Sequence, residues 1–206
     1  VTGTTTELLF ATRIRRSEPP ELADLLPELE ASCLSAAEDD RAGRAWSRKH
    51  AYPGYTSYAS LDDLPWRFPA VKALVRVLDR EAKAFAKDLA WDLGRGKLAL
   101  AGIWINVLEP GGVHSGHVHP NSVISGTAYV AVPEGASAIR FEDPRLAMMM
   151  AAPPRKPKAE RALQPFVPVA PAPGTVLLWE SWLRHEVPAN RAQSPRVSIS
   201  FNYGWG

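Results

Sequence analysis

Near residue 95 the hydrophobic period of this chain changes from helical to alternating, and that change limits the folds open to it more than any other feature. Upstream, between about Pro69 and Leu93, the residues Val71, Leu74, Val75, Leu78, Phe85 and Leu89 fall on one stripe. Lys72, Arg76, Asp79, Arg80, Lys83 and Lys87 fall opposite, which predicts an amphipathic helix with a solvated basic face, stopped by Gly94 and Gly96. An earlier stripe after Ser17 carries Leu22, Leu25, Leu26, Leu29 and Cys33 and predicts a second helix, kinked or divided at Pro27. Downstream, Leu98 to Leu108 alternates as a strand does and ends at the turn-forming Glu109-Pro110-Gly111-Gly112. Further strands are expected at about Ser125 to Val132, Ala138 to Phe141, Thr175 to Trp179, Arg184 to Val187 and Arg196 to Tyr203, each bounded by Pro, Gly or Asn. Many short strands imply a barrel or a sandwich, and helices with one apolar face need such a sheet to cover.

A chain of 206 residues suits one well-buried core. We therefore expect a single domain over residues 1–206, with 1–96 a mainly helical buttress and 97–206 the barrel core. Within the core, residues from about 143 to 173 stand apart. Seven prolines lie between Pro153 and Pro173, beside the basic cluster Arg155-Lys156-Pro157-Lys158. That composition favours an extended excursion over another strand pair, read here as an insertion in preference to a lid. A net charge of +2 gives no reason to expect a nucleic-acid partner. The single cysteine, Cys33, cannot form an internal disulfide, so it reads as a small buried hydrophobe in a protein of the reducing cytoplasm. No run of about 18 apolar residues could span a bilayer. Val1-Thr2-Gly3-Thr4 has neither the basic start nor the apolar stretch of a signal peptide, and a soluble, cytoplasmic protein without a membrane partner is expected.

The chain has five histidines, and His114, His117 and His119 lie within six residues. Residues two apart on a strand share a face, so His117 and His119 can both point inward and chelate one ion while Val118 faces out. His185, on a short apolar strand after the proline-rich excursion, is the candidate third ligand. Three facial ligands leave coordination sites for substrate and oxygen. His114 is an alternative third ligand, but it lies three residues from His117, and alternation sends the two to opposite faces unless the chain bulges near Gly116. His50, in the basic run Arg48-Lys49-His50, reads as a surface residue.

The terminal strand supplies a second clue. Val197, Ile199, Phe201 and Tyr203 occupy one face, and Arg196, Ser198, Ser200 and Asn202 the other. A polar stripe led by arginine is costly to bury without partners, so it should face water or a polar cavity. Arg196 follows His185 by eleven residues, enough to bring a guanidinium near the metal, where it can hold a carboxylate in bidentate fashion with Ser198 assisting. Asn106 and Trp104 share a strand face and either line the cavity or pack in the core with one satisfied amide.

From Ile103 to Asn202 the sequence resembles the 2-oxoglutarate and Fe(II)-dependent oxygenases, in the branch near prolyl 4-hydroxylases. There a Pro-Gly turn leads to an H-x-D pair; here Glu109-Pro110-Gly111-Gly112 leads to His117-Val118-His119, with His119 in the place of the aspartate. The match is closer to a bacterial family of such oxygenases with an H-x-H-P-N-S-x-x-S-G core, which runs here from His117 through Asn121 and Ser122 to Ser125-Gly126. Similar segments follow at Trp179-Glu180-Ser181-Trp182-Leu183-Arg184-His185 and at Arg196 to Asn202. The resemblance implies an α+β fold in which N-terminal helices buttress a double-stranded β-helix, a jelly-roll or cupin-like barrel. It implies Fe(II) held by His117, His119 and His185, with 2-oxoglutarate and O2 as co-substrates and Arg196 anchoring the distal carboxylate. Tyr129 resembles the barrel tyrosine that assists that anchor, and Ser198 and Asn106 complete the co-substrate site. The implied reaction hydroxylates a second substrate, a small molecule or a peptide, while 2-oxoglutarate is decarboxylated to succinate. Tyr52, Tyr55, Tyr58 and Trp66 could shape its pocket, although aromatic residues at such positions are more often core or loop packing. Imidazole also suits Zn, Ni and Cu, so two alternatives stay open: a cupin-like three-histidine metalloenzyme without 2-oxoglutarate, and a metal-binding barrel without catalysis.

Overall fold

The computed structural model describes residues 3–206; Val1 and Thr2, where the reading of the N-terminus begins, lie outside the described residues. In chain order the elements are β1 (Ile14–Ser17), α1 (Pro20–Asp39), α2 (Arg41–Lys49), β2 (Gly54–Thr56), α3 (Leu64–Arg67), α4 (Pro69–Asp88), β3 (Leu98–Leu108), β4 (His114–His117), β5 (Ile124–Ala131), β6 (Ile139–Glu142), β7 (Phe166–Val169), β8 (Val176–Glu180), β9 (His185–Val187) and β10 (Arg196–Trp205). The strands form two antiparallel sheets, one ordered β1-β8-β5-β10-β3-β2 and the other β4-β9-β6-β7. No helix among the described residues is long and apolar enough to cross a membrane.

Strand β10 organises both cores, because it lies between β3 and β5 and its two faces differ. Val197, Ile199, Phe201 and Tyr203 are buried in a cluster with Leu22, Leu29 and Cys33 of α1 and Leu74, Leu78 and Phe85 of α4. Burying side chains of this size contributes about 1.5–3 kcal/mol each relative to exposure, which is why two amphipathic helices settle on this face. Cys33 is fully buried, and burial pushes its thiol up to about 12. The opposite face of the large sheet meets the small one across a second cluster that includes Leu108, Tyr129, Phe141, Leu177, Trp179 and Val187. Arg196, Ser198 and Ser200 line a cavity on this side of β10.

Three expectations need correction. Helix α4 stops at Asp88, short of Leu93, because Ala90 takes a left-handed φ of 54° and the chain closes a Schellman motif, with Ala90 N donating to Lys87 O (3.0 Å) and Trp91 N to Ala86 O (3.1 Å). The early stop lets Trp91 and Leu93 pack onto the helix-covered core. Pro27 does not divide α1; it is exposed, as is Ala23, whose freed carbonyl faces water. The proline-rich excursion contains a strand after all, since β7 pairs with β6 from Ile139↔Val169 to Glu142↔Phe166. Pro168 is tolerated there because β7 is an edge strand. Besides its helices the first half supplies β1 and β2, the two edges of the large sheet.

Candidate metal centre

The antiparallel pairing of β4 with β9 sets His117 directly opposite His185. Their rings lie 4.4 Å apart. Two residues beyond His117 the chain has left β4, and the His119 N–H donates to the Ser181 carbonyl at 3.0 Å, which turns the third ring toward the other two. Val118 between them is exposed. One nitrogen from each of His117, His119 and His185 comes within 4.8 Å of the others, and the Nε2 atoms of His119 and His185 are 3.3 Å apart. Two imidazole nitrogens bound at right angles to one ion, each about 2.1 Å from it, would lie about 3.0 Å apart, so the spacing fits cis ligands.

Hydrogen bonds already set two of the rings. His117 Nδ1 lies 2.7 Å from the Ser115 carbonyl and His185 Nδ1 lies 2.9 Å from that of Leu183, the carbonyl two residues back in both cases. Each Nδ1 therefore carries the hydrogen, which leaves the Nε2 lone pair free. Burial lowers the pKa of all three, His119 to about 4 and His185 to about 3, so the rings are neutral at neutral pH, the form in which imidazole can bind a metal. His114 does not point away: the register slips between His114 and His117, and the two rings stack at 4.5 Å. His114 thus lines the same cavity, edge-on to Tyr52, but lies outside the converging trio.

The cavity beside these imidazoles is walled by Trp104, Asn106, Thr127, Arg196, Ser198 and Ser200. Arg196 is 4% exposed, and its Cζ sits 5.0 Å over the Tyr129 ring. Four buried polar atoms in this region have no hydrogen-bond partner: Arg196 Nε, Thr127 Oγ1 and Trp179 Nε1 belong to residues that line this cavity, and Tyr129 Oη to a residue beneath Arg196 that does not line it. A buried guanidinium N–H left unmet is expensive, and this set of donors fits an anion with several acceptor oxygens. Burial raises the Tyr129 pKa, with the Arg196 charge opposing, so the phenol stays a donor.

Asn106 lines the cavity with its amide already committed, accepting from Thr56 Oγ1 (3.0 Å) and donating to Ser200 Oγ (3.0 Å). Of the four aromatic candidates, Tyr52 and Tyr58 border an outer basin of about 350 Å³ next to His119. Tyr55 is core and donates to Asp40, and Trp66 is exposed and lines none of the hollows around the histidines. His50 is exposed and stacks on Trp46. Thr127 and Trp179 were not singled out from the sequence. The alternation Ser125-Thr127-Tyr129 along β5 was the available signal for Thr127, whereas Trp179 entered only as the first residue of the segment that ends at His185, with no sign among its apolar neighbours in β8 that it lines the cavity.

Residues 102–202 match the family described as "Putative 2OG-Fe(II) oxygenase". A Pseudomonas putida prolyl-4-hydroxylase superposes with a TM-score of 0.58 at 15% identity, covering 95% of this chain and 94% of that one. EctD from S. alaskensis, solved with 2-oxoglutarate and 5-hydroxyectoine, gives 0.61 at 15% identity, covering 94% and 72%. HygX from Streptomyces hygroscopicus, solved with nickel and 2-oxoglutarate bound, gives 0.58 at 15% identity, covering 94% and 82%. At such identities the likeness is one of fold. Among curated proteins, none matches the sequence.

Proposed function

We propose that this chain is a 2-oxoglutarate-Fe(II) oxygenase of the family that residues 102–202 match, that His117, His119 and His185 hold Fe(II) and that Arg196 anchors 2-oxoglutarate beside it. The observation that carries this reading is the buried Arg196 with its unmet Nε, facing the same cavity as three converging imidazoles. In this reading the two facing sheets are a double-stranded β-helix, and the chain is one domain.

The bound iron supplies the oxygen chemistry, in which 2-oxoglutarate is decarboxylated to succinate and a second substrate is oxygenated. The chain's own residues do the rest. The Ser115 and Leu183 carbonyls hold His117 and His185 with Nε2 toward the ion. The Arg196 guanidinium takes the distal carboxylate as a bidentate donor, with Ser198 beside it and the Tyr129 hydroxyl as a further donor. Three neutral imidazoles leave the charge of Fe(II) uncompensated, so the 2-oxoglutarate dianion completes the balance and binding of the two is coupled. Trp104 and Trp179 exclude water from the inner cavity. Two hollows adjoin His119, the outer basin by Tyr58 and a groove walled by Trp91, Trp182 and Trp205, and both give the second substrate, a small molecule or a peptide, room to approach.

Anaerobic titration of the metal-free protein with Fe(II) and then 2-oxoglutarate tests the proposal. A visible charge-transfer band that develops only with both is expected, and Arg196→Ala should abolish 2-oxoglutarate binding while leaving metal affinity in place. An intact protein that binds metal but has no affinity for 2-oxoglutarate sinks this reading and leaves a three-histidine metal site of another kind.

A further inference from the structure

His117 and His185 find a partner for Nδ1 in the carbonyl two residues back, but His119 does not. Its Nδ1 faces a side chain, the Asn202 amide, at 3.4 Å. Asn202 Oδ1 accepts from Ser125 Oγ at 2.7 Å, and Ser125 Oγ lies 2.8 Å from Ser181 Oγ. Ser181 in turn accepts the backbone N–H of His119 through its own carbonyl at 3.0 Å. Residues from β10, β5 and the turn after β8 therefore close a ring around the third histidine. Both serines are 1% exposed, so water does not substitute for these contacts.

We propose that Asn202, backed by Ser125 and Ser181, is the positioning residue that holds His119 in the metal-binding tautomer. The inference rests on the metal site proposed above and adds to it a residue that acts through His119 without touching the ion. With Nε2 committed to a metal, His119 must carry its hydrogen on Nδ1, and Nδ1 then needs an acceptor. The amide now presents Nδ2 to the ring. A half-turn exchanges its two ends, so that Oδ1 accepts from His119 Nδ1–H and Nδ2 donates to Ser125 Oγ. The serines permit the reversal, because each hydroxyl both donates and accepts, and the Ser125–Ser181 bond works in either sense. A carboxylate ligand at position 119 would have no second ring nitrogen to satisfy. The imidazole does, and the fold meets that demand with an amide whose two ends can trade places.

The experiment uses the full chain and no 2-oxoglutarate. Dissociation constants for Co(II), followed by its absorption, are compared for the intact protein, Asn202→Leu, Asn202→Asp and Ser125→Ala, with folding checked by circular dichroism and thermal midpoint. Asn202→Leu should weaken metal binding about 10- to 100-fold, as loss of a partner behind a ligating histidine does. Asn202→Asp, which keeps an acceptor, should restore affinity to the intact level or beyond, and Ser125→Ala should lie between. In the zinc-loaded intact protein, ring-nitrogen NMR should show a slowly exchanging His119 Nδ1–H. Equal loss of affinity in Asn202→Leu and Asn202→Asp, or unchanged affinity in both, overturns the proposal, as does the absence of that proton if Asn202→Leu fails to fold. If the intact protein binds no divalent metal, it is the underlying site assignment that fails, a result distinct from all of these.

Discussion

Four imidazoles share one cavity, and burial lowers the pKa of every one: His114 and His185 to about 3, His119 to about 4, and His117 in the same direction. In the unfolded chain a histidine titrates near its ordinary value of about 6.5, so as pH falls the unfolded state takes up protons first. Stability from these groups is complete above that value and is lost as pH falls from about 6.5 toward 3. Asp40 and Asp143 are held below the usual carboxylate range, so their contribution is still in place at pH 5. The chelator-treated protein should therefore unfold at a lower urea concentration at pH 5 than at pH 7.5, with little change between pH 7.5 and 8.5. His185→Gln should reduce the difference. Equal midpoints at pH 5 and 7.5 would show that the histidines are not buried in this way. At this scale the sequence was informative in singling out His117 and His119, although His119 converges from beyond the end of β4, held by the Ser181 carbonyl, and not by strand alternation. It left open what a local slip decides: His114 turns inward because the ladder breaks between it and His117, at Ser115-Gly116, the bulge on which its orientation was expected to depend. Gly116 suits that close approach, since a Cβ there would meet the Arg184 guanidinium at 2.7 Å.

Among the elements, β3, β5, β8 and β10 were located to within two residues, β10 because its two faces differ and β5 and β8, buried on both faces, because turn residues bound them. Strands β1, β2 and β7 escaped notice: with three or four residues each and no turn signals setting them apart, they belong to the sheets through their partners, whereas the equally short β6 and β9 were marked by the residues that bound them and β4 by its histidines. The end of α4 shows a similar competition. Gly94 does adopt a positive φ of 55°, but the helix has already ended at Ala90, where a residue with a Cβ sits in the left-handed region so that Trp91 and Leu93 can reach the core. That conformation costs an alanine about 1–2 kcal/mol. Ala90→Gly removes the strain at some cost in unfolded-state entropy, and a net gain of about 0.5–1 kcal/mol is expected as a higher urea midpoint. An unchanged or lower midpoint would mean that the Schellman closure does not set where α4 stops.

For the whole molecule, the two faces of β10 tie stability to function. Ile199 packs beneath α1 and α4, and its neighbours Ser198 and Ser200 line the cavity, so the helices cannot leave without exposing the back of the strand that builds the site. The sequence indicated both faces of this strand but not which elements would cover them, because the pairing of β1 with β8 joins residues more than 150 positions apart and leaves no local trace. If the helical half and the sheet half form one cooperative unit, a deletion in the helices should be felt at the metal site. Leu29→Ala removes a fully buried side chain from α1 and should cost about 2–5 kcal/mol. The cobalt-loaded variant should then lose tryptophan fluorescence and the cobalt spectrum in a single transition, at a lower denaturant concentration than the parent. Two separated transitions, with the cobalt spectrum outlasting the loss of helix, would instead make the N-terminal segment a dispensable cover over a sheet core that folds without it.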